Sequence, residues 1–232
     1  PDEELHIKGS SSSNSPAIKL TGYYSSYNRS QTKEFSSIRI DPLHGSGEDW
    51  YYINDARSSD YSFATIISLD KGGMTDYLYA SNFKFSIPSG STISGISVTV
   101  QGRSDQQNCA LSVQLMSSIS HPLGNVKTVD SIYSSTQTDG GSYFYLGGSS
   151  DLWGTSLDYG DINSSNFGLD FWLKNNNSSY PVSAYINSIT ITVYYFYNNT
   201  AADWTSSVST SKGDLLINNS LIDTRVGIRN SN

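Results

Sequence analysis

Short runs in which apolar and polar residues alternate recur along the chain from Ile18 onward, and Gly, Pro, Asn, Asp or Ser bounds each run. Such period-two runs predict β-strands separated by turns. The runs are AIKLTGYY, SSIRI, FATIISL, NCALSVQLM, SYFYL, NFGLDFWLK and SAYINSITITVYYFY. No stretch has helical periodicity, so the sequence predicts an all-β sandwich or barrel.

Residues 81–100, SNFKFSIPSGSTISGISVTV, give the most regular alternation. Pro88 and Gly90 supply the fixed and the positive φ that a reversal of the chain needs. The apolar residues on the two sides of this turn are Phe83, Phe85, Ile87, Ile96, Val98 and Val100. We therefore expect a β-hairpin whose two halves pair with each other.

The segment INSITITVYYFY, residues 186–197, is the strongest strand prediction. Both of its faces carry bulk, which favours a central position in a sheet or an interface on one side. One face holds Ile189, Ile191, Val193, Tyr195 and Tyr197, and the other holds Thr190, Thr192, Tyr194 and Phe196.

Composition and charge exclude several classes of protein. The net charge is −7 and the chain has only 14 Lys and Arg residues, whereas a nucleic-acid binder needs clustered basic residues. The sequence contains no run of about 18 apolar residues, so it predicts no membrane insertion. Because Cys109 is the single cysteine, no internal disulfide forms, and its place in an apolar alternation predicts a buried side chain.

Composition also predicts the domain organisation. Residues 1 to about 16 contain the tract GSSSSNSP and lack the apolar content to pack, and the composition turns polar again after Asn198. The sequence predicts an N-terminal arm with the first strands over 1–40, a β-sandwich domain over 41–198 and an extended C-terminal tail over 199–232.

Candidate chemical groups do not form a recognisable catalytic set. The three histidines, His6, His44 and His121, stand far apart, and none has a partner at metal-ligand spacing. The loop carboxylates could cap turns, bind calcium or form a glycosidase pair, and turn capping is the favoured interpretation. These carboxylates are Asp55, Asp60, Asp151, Asp158 and Asp161. We predict no catalytic residue, no metal ligand and no cofactor.

Aromatic residues offer the remaining functional signal. The 4 Trp and 17 Tyr can stack on sugars or join subunits, although core or interface packing is favoured for most of them. Trp172 alternates with Phe171 and Leu173, so it is expected on the opposite face. The candidate ligand-facing residues, in the loops GYYSSYNRS and KNNNSSYPVSAY, are Tyr23, Tyr24, Tyr27 and Tyr180.

Several segments between about residues 50 and 195 resemble a β-sandwich module of tailed-phage structural proteins, which include head fibres, decoration proteins and tail-associated adhesins. The segments are Trp50 with INDARSSDYSFAT, the stretch FKFSIPSGSTISGISVTV, DLWG with IN and NFG over 151–168, and SITITVYY. The tail element KGDLLINNSLIDTRVGIRN also resembles phage fibre proteins. The glycines of these motifs, such as Gly168, are expected to permit close backbone approach.

The resemblance implies an all-β, antiparallel jelly-roll-like β-sandwich with extended N- and C-terminal arms. It also implies a non-enzymatic virion structural protein, a fibre or decoration subunit on the particle surface, which attaches through its arms. Other virion proteins are the implied partners, and a homo-oligomer, specifically a trimer, is the expected assembly. The alternative is a carbohydrate- or host-receptor-binding module of a phage adhesin, with a host-surface glycan as its ligand. A polysaccharide hydrolase is the least supported class.

Overall fold

A computed structural model describes residues 27–44, 47–134 and 140–197. These residues form ten antiparallel strands in two sheets. The strands are β1 (Tyr27–Glu34), β2 (Ser37–Ile40), β3 (Ala64–Leu69), β4 (Leu78–Ser81), β5 (Thr92–Ser104), β6 (Cys109–Ser118), β7 (His121–Val129), β8 (Ser142–Gly148), β9 (Gly168–Asn175) and β10 (Val182–Tyr197). Two short helices, a 3₁₀-helix at Ile53–Ala56 and α1 at Tyr159–Asn163, were not predicted.

The strand order confirms the jelly-roll-like sandwich. The first sheet runs β1-β10-β5-β8 with β3 also paired to β10, and the second runs β2-β4-β9-β6-β7. From β3 to β10 the chain passes from one sheet to the other at almost every step, and β6–β7 is the one consecutive pair within a sheet. This alternation is the jelly-roll arrangement. Of the region predicted as N-terminal arm and first strands, 1–40, residues 27–40 form β1 and β2 of the two sheets, so the sandwich begins before residue 41. The rest of that region and the predicted tail over 199–232 lie outside the described residues.

Most of the predicted strands occur where the alternation placed them. SSIRI, FATIISL, NCALSVQLM, SYFYL and NFGLDFWLK correspond to β2, β3, β6, β8 and β9. The strongest prediction, β10, is central as expected, because β5 pairs along one side and β1 and β3 pair along the other. The polar strands β1 and β7 were missed, since pairing with a neighbour decides their structure rather than alternation. The run AIKLTGYY lies outside the described residues.

The predicted hairpin over 81–100 is wrong. Residues 82–91 form no strand, and they connect β4 of the second sheet to β5 of the first. Asn82 and Lys84 have φ of 58° and 56°, which interrupts an extended strand. Phe83, Phe85 and Ile87 are nevertheless buried, so the alternation correctly identified the core-facing side chains.

Side-chain amides replace the missing strand partner of this connection. Gln31 donates to the Ser86 carbonyl at 2.7 Å and accepts from the Ser86 N–H at 3.1 Å. Asn163, at the end of α1, donates to the Ile87 carbonyl at 2.8 Å and accepts from the Ile87 N–H at 2.7 Å. The backbone groups are therefore satisfied without a β-ladder.

The core lies between the two sheets and consists of the inward side chains of both. Trp50 packs edge-on against Phe171, with ring centroids 5.6 Å apart, and donates its indole N–H to the Asp76 carbonyl. Trp153 is fully buried and donates to the Ile96 carbonyl at 2.9 Å. Both tryptophans of the phage-like motifs therefore serve the fold. Within the described residues, no helix has the length and apolar character needed to cross a membrane.

Candidate functional site

The structure describes only part of the predicted set of ligand-facing tyrosines. Tyr180 is exposed, at 63% of its surface, after β9. Tyr27 begins β1, but its side chain is outside what the structure describes, and Tyr23 and Tyr24 lie outside the described residues. A common ligand site for these four residues therefore stays a prediction.

The loop carboxylates serve local turns, as the favoured interpretation predicted. Asp60 accepts a hydrogen bond from the Ser62 N–H, and Asp151 accepts one from the Trp153 N–H at 2.8 Å and pairs with Lys127. Asp158 and Asp161 form a reciprocal capping box at the start of α1. Asp55 lies in the first turn of the 3₁₀-helix. Asp151 thus also reaches Lys127 of β7, whereas the hydrogen bonds of Asp60, Asp158 and Asp161 stay within their own loop or turn.

His44 has two acidic neighbours in the fold that the sequence did not indicate as a ligand set. The fold brings His44 together with Asp41 and Asp170, and one ligand atom of each lies within 4.8 Å of the others. The three residues form what we call the carboxyl–histidine cluster, on the outer face of the second sheet. Asp41 and His44 are three positions apart, which is a local signal in the sequence. For Asp170, the only indication in the sequence was the presence of a charged residue within the apolar strand β9.

Hydrogen bonds orient Asp41 firmly. Its Oδ1 accepts from the Leu43 N–H at 2.9 Å and from the Ser120 hydroxyl, and its Oδ2 accepts from the Ser120 N–H at 3.1 Å. The backbone also ties this segment to Tyr77, because the Asp41 N–H donates to the Tyr77 carbonyl and the Tyr77 N–H donates to the His44 carbonyl. Asp41 is therefore held in place from two separate segments.

The two carboxyl groups of the cluster have opposite pKa shifts. Burial, the negative charge of Asp41 and a hydrogen bond with Asp41 together raise the pKa of Asp170 to about 8. Burial also acts to raise the pKa of Asp41, but the hydrogen bonds from Ser120 and Leu43 outweigh it and lower that pKa. Adjacent carboxyl groups cannot both ionise cheaply, so Asp41 carries the charge and Asp170 holds a proton.

The His44 ring of the cluster belongs to a stack of three aromatic rings. The Tyr77 ring lies 4.3 Å from that of His44 and 3.9 Å from that of Trp172, with interplanar angles of 16° and 3°. Two nearly parallel rings so close to Tyr77 lie on its opposite faces. Trp172 is thus on the outer face of the sheet, as its alternation with Phe171 and Leu173 predicted.

This carboxyl pair does not have the arrangement that glycoside hydrolysis needs. Asp41 and Asp170 are 0% and 2% exposed, and they share a hydrogen bond. Glycosidase carboxyl groups stand about 5–9.5 Å apart, to hold a sugar and a water between them. No such space separates Asp41 from Asp170.

The outer face of the first sheet is different in character. The register aligns Thr32, Thr192 and Ser97 in one row, and Glu34, Thr190, Thr99 and Tyr145 in the next. The hydroxyl groups of Thr32 and Thr192 are 2.8 Å apart, which confirms that these side chains share a face. We call this surface of β1, β5, β8 and β10 the hydroxyl face. Among its outward side chains that the structure describes, Glu34 and Arg103 are the charged ones, and the Arg103 guanidinium lies over the rings of Tyr185 and Phe63.

Two exposed tyrosines border the hydroxyl face on the edge strand β8. Tyr143 and Tyr145 are 53% and 71% exposed, and they lie beside Gln101 and Thr99. The Ser59 hydroxyl donates to Oε1 of Gln101 at 2.7 Å, so the loop after the 3₁₀-helix covers one end of the face. The sequence predicts SYFYL as a strand but does not distinguish these tyrosines, because aromatic rings occupy both faces of the strand.

Comparisons with known proteins give no family. No protein-family model and no curated protein matches the sequence. The structure is similar to the C-terminal CBM6 of LamC, a marine laminarinase from Zobellia galactanivorans, with 9% identity, a TM-score of 0.33, and coverage of 71% of this chain and 99% of that one. It is also similar to CBM1 of BiXyn10A in its apo form, with 6% identity, a TM-score of 0.31 and the same coverage of 71% and 99%. Both are carbohydrate-binding modules, and at such identity the likeness concerns the fold alone.

Proposed function

We propose that this chain is a binding module that holds a neutral glycan on its hydroxyl face. The observation that carries the proposal is the position of Tyr143 and Tyr145, which are 53% and 71% exposed beside rows of threonine and serine side chains. Two exposed rings on the same side of one strand form a continuous flat surface, and exposed surfaces of this kind mark binding sites.

The chemistry of the face suits a sugar. Tyrosine rings offer flat apolar surface to the C–H faces of a pyranose, and their phenol groups hydrogen-bond at the rim. Hydroxyl groups such as those of Thr99 and Thr190 both donate and accept, so they can match the hydroxyl groups of a sugar. Because one acidic and one basic residue, Glu34 and Arg103, are the described charges on the face and the chain carries −7 overall, a neutral glycan fits better than an acidic one.

A glycan array tests this proposal with four proteins: the wild type and the variants Tyr143→Ala, Tyr145→Ala and Tyr180→Ala. Tyr180 is an equally exposed tyrosine outside the hydroxyl face, so it is the matched control. We expect the wild type and Tyr180→Ala to bind the same neutral glycans and the two β8 variants to bind at least about tenfold more weakly. The proposal fails if the wild type binds nothing, or if only Tyr180→Ala loses binding.

The small number of charged side chains on the hydroxyl face also supports a second candidate, a subunit of a virion surface. Protein interfaces are depleted of charged residues and enriched in tyrosine at their centre. In this account the face joins copies of the chain, expected as a trimer, and the chain before β1 and the tail over 199–232 attach to other virion proteins. Light scattering of the full chain tests it. We expect a trimer that dissociates in Tyr145→Glu, and a monomer at high concentration would contradict it.

A further inference from the structure

The carboxyl–histidine cluster has the composition of a metal site. Asp41, His44 and Asp170 come from the segment after β2 and from β9, and one ligand atom of each lies within 4.8 Å of the others. Two ligands of one tetrahedral ion, each bonded at about 2.1 Å, lie about 3.4 Å apart. Oδ2 of Asp41 and Nδ1 of His44 are 3.9 Å apart, which is too long for a hydrogen bond and needs only a small closure to reach the spacing of two ligands of one ion.

A buried oxygen of Asp170 points to a missing ligand. Oδ1 of Asp170 is inaccessible to solvent and accepts no hydrogen bond from the residues that the structure describes. The residue is 2% exposed, so water does not compensate for the missing partner. A buried carboxylate oxygen without a donor is costly, and a bound cation would satisfy it.

We propose that Asp41, His44 and Asp170 bind one divalent transition-metal cation, of which Zn²⁺ is the representative. An imidazole nitrogen selects zinc and its neighbours over Ca²⁺ and Mg²⁺, which prefer oxygen ligands. On binding the cation, Asp170 gives up its proton to solvent, so that two carboxylates neutralise the charge of the cation and the cation removes their mutual repulsion. Three protein ligands leave a fourth position for water.

The surroundings of the cluster fit this role. Ser120 and Leu43 hold Asp41 through hydrogen bonds to both of its oxygens, as partners of metal-bound carboxylates do. Tyr77 holds the His44 ring by stacking. The His44 side chain is 47% exposed, which gives an ion a route from solvent to the two buried carboxylates. The bound ion would fasten the segment after β2 to the outer face of the second sheet.

Thermal unfolding of the untagged full chain, first treated with a chelator and then titrated with Zn²⁺, tests the proposal. We expect the wild type to bind one zinc ion per chain by calorimetry. At zinc concentrations 100-fold above the dissociation constant, Tm is expected to rise by about 5–10 °C. His44→Ala is expected to weaken zinc binding at least about tenfold, and Asp170→Asn to abolish the rise in Tm.

The controls separate this site from other sources of zinc binding. His121→Ala removes another exposed histidine, and it is expected to keep the full response to zinc. Each variant is compared with its own metal-free Tm, so a change in basal stability does not affect the result. The proposal is overturned if zinc leaves the wild type unchanged, if His44→Ala or Asp170→Asn responds like the wild type, or if Ca²⁺ acts equally well without His44.

Discussion

The ring of Tyr77 lies parallel to the indole of Trp172, with the ring centroids 3.9 Å apart and the planes 3° apart. This contact joins a residue just before β4 to the outer face of β9, and His44 stacks on the other side of Tyr77. The stack therefore links the segment that carries His44 to β9, the strand that also carries the buried Asp170.

The Tyr77–Trp172 stack is expected to contribute about 1 kcal/mol to the free energy of unfolding beyond the burial of its area. A double-mutant cycle with Tyr77→Leu and Trp172→Leu, measured by urea unfolding, gives this coupling energy. The control pair, Tyr77→Leu with Trp153→Phe, involves residues that share no described contact and should be additive within about 0.5 kcal/mol. If the changes in the free energy of unfolding caused by Tyr77→Leu and Trp172→Leu are additive, the stacking contact between the two rings is contradicted.

Gly168 is expected to tolerate no side chain. A Cβ atom there would lie 2.0 Å from the Ala80 carbonyl oxygen, in the backbone of the paired strand β4. Gly168→Ala should therefore lower the free energy of unfolding by about 1–3 kcal/mol, because neither strand can move away freely. Gly148 is the control, since a Cβ atom there meets nothing within 4 Å. Equal urea midpoints for Gly168→Ala and Gly148→Ala would disprove the close approach.

Asn163→Ala is expected to destabilise the connection between the sheets. The Asn163 amide makes hydrogen bonds of 2.7 and 2.8 Å with both backbone groups of Ile87, and its loss leaves those groups unpaired in a partly buried place. We expect a loss of about 1–3 kcal/mol in urea unfolding. Asn166→Ala changes an exposed asparagine of the same loop and serves as the control. If Asn163→Ala lowers the free energy of unfolding by no more than Asn166→Ala does, water replaces the hydrogen bonds of the Asn163 amide.

The wrong hairpin prediction for residues 81–100 shows which structural information an alternating sequence contains. Phe83, Phe85 and Ile87 face the core as predicted, because alternation reports which side of an extended chain is buried. It does not report the partner of that chain. The partner here is the pair of side chains Gln31 and Asn163, which come from distant parts of the sequence.

The candidate sites depended on the same kind of long-range information. Strand periodicity placed Trp172 on the outer face, but nothing local indicated that Tyr77 would cover it. Asp170 could be recognised only as a charge within an apolar strand, and its pairing with Asp41 arises from the register of the second sheet. On β8, alternation put Tyr143 and Tyr145 on one face, yet only the paired strand β5 determined that this face is the outer one.

Cys109 is expected to resist thiol reagents in the folded protein. The side chain is completely buried, and burial, with a smaller contribution from the charge of Asp105, raises the pKa of its thiol to about 12. At pH 8 only about one thiol in ten thousand would be ionised, and the reagent could not reach it. Labelling with a chromogenic disulfide should therefore be slow in buffer and complete in urea. Rapid labelling of the native protein would show that the β6 region opens readily.

The most direct test of glycan binding on the hydroxyl face is an NMR titration of the isotope-labelled protein with the neutral glycan that binds most strongly on the array. We expect the largest amide shifts in residues 95–101, 143–147 and 190–194, which carry the face. Shifts centred on residues 176–181 around Tyr180, or no localised shifts at saturation, would contradict glycan binding on the hydroxyl face.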